Sequence, residues 1–254
     1  MKVLITGASS GIGKEFALYF DKLDYEVVLV ARRTEKLVEL QKQLKKATII
    51  TLDLSKEENI YQLFNQQKDV DILINNAGFG IHGEFINIPL ERELEMIDTN
   101  IKAVHILTKL YLQEMNKRNR GYILNTASSA AFMTSGPLMG AYYASKGYVL
   151  MLTEAINTEL KISKSKVYVG ALCPGPVNTE FNKVANVKFG VKALEADYVV
   201  KYTIKKMFKK KMVIIPGFSN RCFYILRRFV PTKLQNRLVY NIQKKKEVQK
   251  WKKF

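Results

Sequence analysis

The 254-residue chain predicts an α/β fold: a doubly wound parallel sheet with helices on both faces. Three observations lead there. Short apolar runs alternate with stretches of helical apolar spacing along most of the chain. The first run, Lys2-Val3-Leu4-Ile5-Thr6, passes directly into a turn carrying Gly7, Gly11 and Gly13, and then into a helical pattern. Apolar residues make up 47% and charged residues 25%, enough for one full α/β core at this length.

The opening run is apolar throughout, as a buried parallel strand requires. Glycines let the backbone approach a pyrophosphate, and the start of the helix over 15–20 supplies free N–H groups and a favourable dipole. The spacing is Gly-x-x-x-Gly-x-Gly, not the commoner Gly-x-Gly-x-x-Gly. Strand, turn and helix together predict a dinucleotide site at Gly7, Ser9, Ser10, Gly11, Ile12 and Gly13. The next strand, 26–31, ends in Arg32-Arg33. An acid there would hold free ribose hydroxyls, whereas an arginine pairs with a 2′-phosphate. NADP(H) is therefore expected over NAD(H). Glu35 is close but lies within the following helix, and is the weaker candidate.

Later strands are expected at 48–52, 71–75, 122–126, 167–172 and 212–215. Long helical patterns cover 90–118 and 142–162. The second carries Tyr142 and Lys146, one turn apart on one face. A cation about 4 Å from a phenol is worth on the order of 4 kcal/mol at an effective dielectric of about 20. Lys146 is thus expected to draw Tyr142 down from about 10 toward the range where acid–base catalysis is efficient. Tyr143 stands three residues from Lys146 and is the less suitable phenol.

With these residues in view, the chain resembles the short-chain dehydrogenase/reductase family, in its single-domain branch, from Lys2 to about Pro216. The motifs are Thr6-Gly7-Ala8-Ser9-Ser10-Gly11-Ile12-Gly13, Asp53-Leu54, Asn75-Asn76-Ala77-Gly78, Asn100, Ser128-Ser129, Tyr142-x-x-x-Lys146 and Pro174-Gly175-Pro176-Val177-x-Thr179. The resemblance implies a Rossmann-type sheet of seven strands and hydride transfer between a nicotinamide and a carbonyl or alcohol. It implies that Tyr142 is the acid–base residue and that Lys146 lowers its pKa and binds the nicotinamide ribose. Ser129, thirteen residues before Tyr142, would hold the substrate oxygen, with Ser128 the neighbouring alternative. Asn100 would hold a water that relays protons to Lys146. Asp53 and Leu54 would meet the adenine side, and Asn76, Ala77 and Gly78 would line the adenosine cleft. Pro174, Gly175, Val177 and Thr179 would meet the carboxamide and the phosphates. The resemblance also implies a homodimer or tetramer through the two long helices.

Segments 79–89 and 176–195 are expected to shape the substrate pocket. Phe132, Met133, Leu138, Met139 and Phe181 are near enough in sequence to line it, so an apolar carbonyl or alcohol is the expected substrate. His82 is read as an ordinary loop histidine. With Cys173 and Cys222 the only cysteines, neither a disulfide framework nor a metal site is expected, and the compartment expected is the cytoplasm. With the first strand beginning at Lys2 no leader is expected, and no run of apolar residues is long enough to span a bilayer.

The charge is uneven. Residues 1–200 hold 24 Lys+Arg against 22 Asp+Glu, while residues 201–254 hold 17 against one. The catalytic domain is expected over 1–216, and 217–254 form a basic amphipathic extension, with Leu234, Leu238, Ile242 and Val248 on one face and Trp251 near the end. The extension could pack over the pocket mouth, lie on an anionic membrane surface, or touch nucleic acid or an acidic carrier, nucleic acid being the least favoured.

Overall fold

A computed structural model describes residues 1–181 and 193–245. Seven parallel strands form one sheet in the order β3-β2-β1-β4-β5-β6-β7. They are β1 (Lys2–Thr6), β2 (Glu26–Ala31), β3 (Ala47–Thr51), β4 (Ile72–Asn75), β5 (Tyr122–Thr126), β6 (Tyr168–Leu172) and the two-residue β7 (Val213–Ile214). The helices between them are α1 (Gly11–Lys22), α2 (Thr34–Gln41), α3 (Glu57–Gln66), α4 (Leu90–Ile97), α5 (Val104–Lys117), α6 (Gly140–Ile162) and α7 (Ala196–Met207). Two more, α8 (Phe218–Leu226) and α9 (Thr232–Lys244), form the extension. The pattern over 90–118 is not one helix: a π-helical turn, Asp98–Ala103, separates α4 from α5.

The strands read as unbroken apolar runs because helices cover both faces. Val3, Ile5, Val27 and Leu29 pack with Phe16 and Phe20 of α1 and with Val199 and Ile204 of α7. The intervening residues Leu4, Val28 and Val30 turn to the other face, against Ile60 and Leu63 of α3 and Leu107, Tyr111 and Met115 of α5. Side chains alternate across a strand, so a continuous apolar run fills both layers. Each fully buried side chain of this size contributes about 1.5–3 kcal/mol.

Strand order reverses between β1 and β4, its two neighbours running outward in opposite directions. A crevice opens beyond the carboxyl ends of strands at such a switch point. The turns after β1, β4, β5 and β6 all meet there, which brings together motifs separated by more than a hundred residues.

Candidate active site

The crevice is a cavity of about 510 Å³. Its adenosine end is built on the glycine turn. Gly7 adopts φ +67°, a left-handed conformation that side chains resist, and a Cβ there would lie 2.8 Å from the Ala77 Cα. At Gly13 a Cβ would lie 2.2 Å from the Gly7 carbonyl oxygen. These contacts let the turn fold tightly against Asn76-Ala77. Thr6 locks the same junction: its hydroxyl accepts the N–H groups of Asn76 and Ala77, each at 2.9 Å. Asn76 donates its side-chain amide back to the Thr6 carbonyl at 3.1 Å.

The first turn of α1 faces the cavity with no side-chain cap from Ser10. Ser10 and Ser9 instead accept hydrogen bonds from Arg33, at 2.9 and 3.0 Å from Nη2. Arg33 also meets Glu180 at 2.9 Å, and Lys36 meets the other oxygen of that carboxylate at 2.5 Å. These hydrogen bonds hold Glu180 down to about 2. The guanidinium therefore lies beside the phosphate-binding turn and already carries an anion. Arg32 points elsewhere, pairing with Glu95 at 2.6 Å and lying 3.9 Å from Asp53. Asp53 itself caps the Ser55 N–H at 3.0 Å.

The catalytic end is carried by α6. Tyr142 and Lys146 are both buried and line the cavity one turn apart, as their spacing predicts. Their electrostatics differ from expectation. Burial pushes the Tyr142 phenol up to about 12, with a neighbouring Tyr143 adding to it and a hydrogen bond from Ser128 opposing it. Burial also pulls Lys146 down to about 8. The Lys146 ammonium sits 6.0 Å from the Tyr142 ring centre and donates to the Thr126 carbonyl at 2.9 Å. Burial dominates at both groups, because each charged form loses water in the same enclosed site, and Lys146 is not among the groups that shift the phenol.

Both candidate serines line the cavity. Spacing favours Ser129, while a hydrogen bond from Ser128 acts to lower the phenol's pKa. Ser128 is the cap of a short 3₁₀ turn, Ser129–Phe132, and accepts the Ala130 N–H at 3.1 Å. Ser129 lines the same cavity, with its backbone N–H on the Pro174 carbonyl at 2.8 Å.

Every other predicted cofactor residue lines the cavity except Gly13, which packs behind the turn. Asn100 also lies behind the wall, fully buried in the π-helical turn. Its amide clamps Phe79, accepting that residue's N–H at 3.0 Å and donating to its carbonyl at 2.9 Å. Its Nδ2 also donates to Ser145 at 3.1 Å. The side chain is therefore a brace between α6 and the Asn-Asn-Ala-Gly turn. Beneath it, Asn75, Thr108, Asn125 and Thr153 form a buried hydrogen-bonded string joining β4, α5, β5 and α6.

At the substrate end Phe79, Met139 and Phe181 line the cavity, and Tyr142 lies 5.7 Å from Phe181 by ring centres. Of the other expected lining residues, Phe132 is in the core beside Cys173, and Leu138 lines a separate pocket of about 340 Å³. Met133 lines neither. Cys173 is fully buried, and burial raises its thiol. His82 is buried, its Nε2 3.1 Å from the Gln243 carbonyl. Residues 182–192 of the expected lid, and Val248 and Trp251, lie outside the described residues.

Gln243 is a residue that sequence reasoning missed. It comes from α9, lines the cavity, and donates to the Tyr143 hydroxyl at 2.7 Å. Among the described residues, two buried acceptors lining the cavity lack a partner: Gln243 Oε1 and Thr126 Oγ1. A glycine-lined phosphate turn, an arginine beside it and unpaired acceptors at the other end fit a nicotinamide dinucleotide with a substrate next to it. A Cβ at Gly78 would meet Asn100 Oδ1 at 2.8 Å and Lys146 Nζ at 3.3 Å, so glycine keeps that wall open.

A family model described as short chain dehydrogenase matches residues 1–188. The chain is 31% identical over 252 residues to mouse (Mus musculus) estradiol 17-beta-dehydrogenase 11, covering 96% of this chain and 84% of that protein. It is 32% identical over 198 residues to the very-long-chain 3-oxoacyl-CoA reductase of Anas platyrhynchos, covering 73% of this chain and 62% of that one. Among solved structures, a short-chain dehydrogenase from Sphingobium yanoikuyae in complex with NADPH superimposes with a TM-score of 0.81 at 26% identity, covering 100% of this chain and 99% of that one. The match spans the sheet, the glycine turn and the Tyr142–Lys146 helix together, and the cofactor class is the nicotinamide dinucleotide. The chain belongs to the short-chain dehydrogenase/reductase family of oxidoreductases.

Proposed function

We propose that the protein is an NADP(H)-dependent carbonyl reductase, or alcohol dehydrogenase in the reverse direction, for an apolar substrate. The observation that carries the reading is one cavity holding Arg33 at the phosphate turn and Tyr142 with Ser128 beside an apolar wall. Arg33, Ser9 and Ser10 would hold the 2′-phosphate. Glu180 supports this, since its carboxylate is already bound by Arg33 and Lys36 as a phosphate would be. Gly7, Gly11 and the first turn of α1 would receive the pyrophosphate.

When bound, the nicotinamide supplies or accepts a hydride. The protein's part is to orient and to move a proton. Ser128 and Tyr142 would hydrogen-bond the substrate oxygen where charge develops. A phenol held near 12 is fully protonated at neutral pH, which suits it to donate in the reducing direction. Lys146, near 8, would restore the proton lost from the phenol side of the site. Phe79, Met139 and Phe181 would exclude water and favour an apolar group. The relatives fit that leaning, one being named for a steroid and another for a long-chain 3-oxoacyl substrate.

The test is a fluorescence titration with NADPH and NADH, followed by turnover of medium-chain ketones, aldehydes and steroid ketones with the better binder. Tighter NADPH binding with turnover is the expected result. Preference for NADH would overturn the cofactor assignment. NADPH binding without turnover across the panel would favour a dinucleotide-binding sensor.

A further inference from the structure

The extension has two faces with different chemistry. α9 buries Gln235, Val239 and Gln243 against the domain. Asn236 adds hydrogen bonds from Thr134 at 2.9 Å and Ser135 at 2.7 Å. This settles how the helix sits, and it leaves the regular apolar stripe uncovered. Leu234, Leu238 and Ile242, four residues apart and on one stripe, are 49%, 49% and 55% exposed. Upstream, Phe229 is 80% exposed, with Leu226 at 60%.

The same segment is strongly cationic. Residues 217–245 contain seven Lys and Arg and no Asp or Glu. Arg227 is committed inward, donating to the Phe132 carbonyl and lying over the Phe132 and Tyr224 rings. Arg228, Lys233 and Arg237 are exposed and form no ion pair among the described residues. Charges left unpaired beside apolar side chains left in water indicate a partner that is anionic at its surface and apolar just below it.

We propose that the outer face of residues 217–245 docks on an anionic lipid bilayer, with Phe229, Leu234 and Leu238 in the acyl boundary and Arg228, Lys233 and Arg237 at the headgroups. A second copy of this face would bring like charges together. A nucleic acid would use the cations and leave the apolar stripe in water. No helix among the described residues is long and apolar enough to cross a membrane, so the contact is one of lying on the surface. Gln243, on the inner side of α9, lines the cavity, so docking would leave the substrate end of the site one helix away from the lipid.

The experiment is co-sedimentation of the full chain with vesicles of phosphatidylcholine alone, or with about one-third phosphatidylserine, at low and high salt. Two variants are compared: the triple reversal Arg228→Glu, Lys233→Glu, Arg237→Glu, and the apolar variant Phe229→Ser, Leu234→Ser, Leu238→Ser. All six positions are exposed, and retention of the wild-type melting curve verifies that each variant folds. Binding to the phosphatidylserine vesicles alone, weakened by salt and reduced at least about tenfold in both variants, is expected. Wild type remaining in the supernatant with anionic vesicles at low salt overturns the proposal. So does binding that the apolar variant keeps in full and duplex DNA competes away, which assigns the face to polyanions. None of these readouts depends on turnover, so the reductase reading stands or falls separately.

Discussion

The two ends of the cavity are built by different rules. The cofactor end rests on the carboxyl ends of β1 and β4, where Gly7, Gly13, Thr6 and Asn76 interlock within short stretches of chain. The substrate end draws Met139 from the approach to α6, Phe181 from the segment after β6, and Gln243 from the last helix. One end is held by backbone geometry that tolerates few residues. The other is held by side chains arriving from remote places, each replaceable. The cofactor-binding turn, built on fixed backbone geometry, therefore sits at the first end, and the side chains that shape the substrate pocket at the second.

The comparison can be broken most sharply at the junction of the two ends. Tyr142→Phe removes the proton donor, and kcat should fall by about three orders of magnitude or more while NADPH affinity holds. Retained turnover would refute the catalytic assignment. Ser128→Ala should cost on the order of a hundredfold in kcat, and Ser129→Ala less than about threefold. The reverse order would place the substrate oxygen on Ser129, as spacing favours.

Arg33→Ala tests the cofactor end alone. Loss of a charged hydrogen-bonding partner should weaken NADPH by roughly ten- to a hundredfold and leave NADH within about twofold. Equal losses for both cofactors would mean that Arg33 holds the turn and not the 2′-phosphate.

Lys146 links catalysis to stability. Its pKa falls from 10.5 unfolded to about 8 folded. Between those values the unfolded chain holds a proton that the native protein has released, so native stability rises with pH across that window. The full contribution, about 3 kcal/mol, is present above the unfolded value and is lost as pH falls through about 8. Lys146→Met should remove this rise and be about 1–2 kcal/mol more stable than wild type at pH 7, after losing the bond to Thr126. It should also lose activity. In the wild type, the reduction rate should decline as pH passes about 8. Urea melts across pH and a pH–rate profile measure both.

The smallest effect belongs to the substrate end. Gln243→Ala should change KM for a bulky carbonyl by about two- to fivefold and leave NADPH binding untouched. A change in cofactor affinity instead would mean that α9 reaches across the whole cavity.

Much of this was legible in the chain. Unbroken apolar runs such as Val27–Val30 could only be parallel strands covered on both faces, and the glycine turn fell where the strand order reverses. Apolar patterning was ambiguous where a helix had two claims on it. In α9 the regular stripe of Leu234, Leu238 and Ile242 stayed exposed, while Gln235, Val239 and Gln243 went inside, where Gln243 donates to the Tyr143 hydroxyl, Gln235 donates to the Arg227 and Val230 carbonyls, and the neighbouring Asn236 accepts from Thr134 and Ser135. Helical periodicity likewise ran straight through 90–118, since a π-helical turn adds a residue to the hydrogen-bonded loop without changing composition.

By itself the sequence determined the sheet, the dinucleotide turn, and the pairing of Tyr142 with Lys146, for these depend on local spacing that sterics and helix geometry dictate. Tertiary structure alone decided that Ser128 reaches the cavity beside Ser129, that burial raises the Tyr142 phenol, and that Gln243 reaches the cavity. Desolvation and hydroxyl orientation depend on what surrounds a group in space, and residues a hundred positions away supply those surroundings.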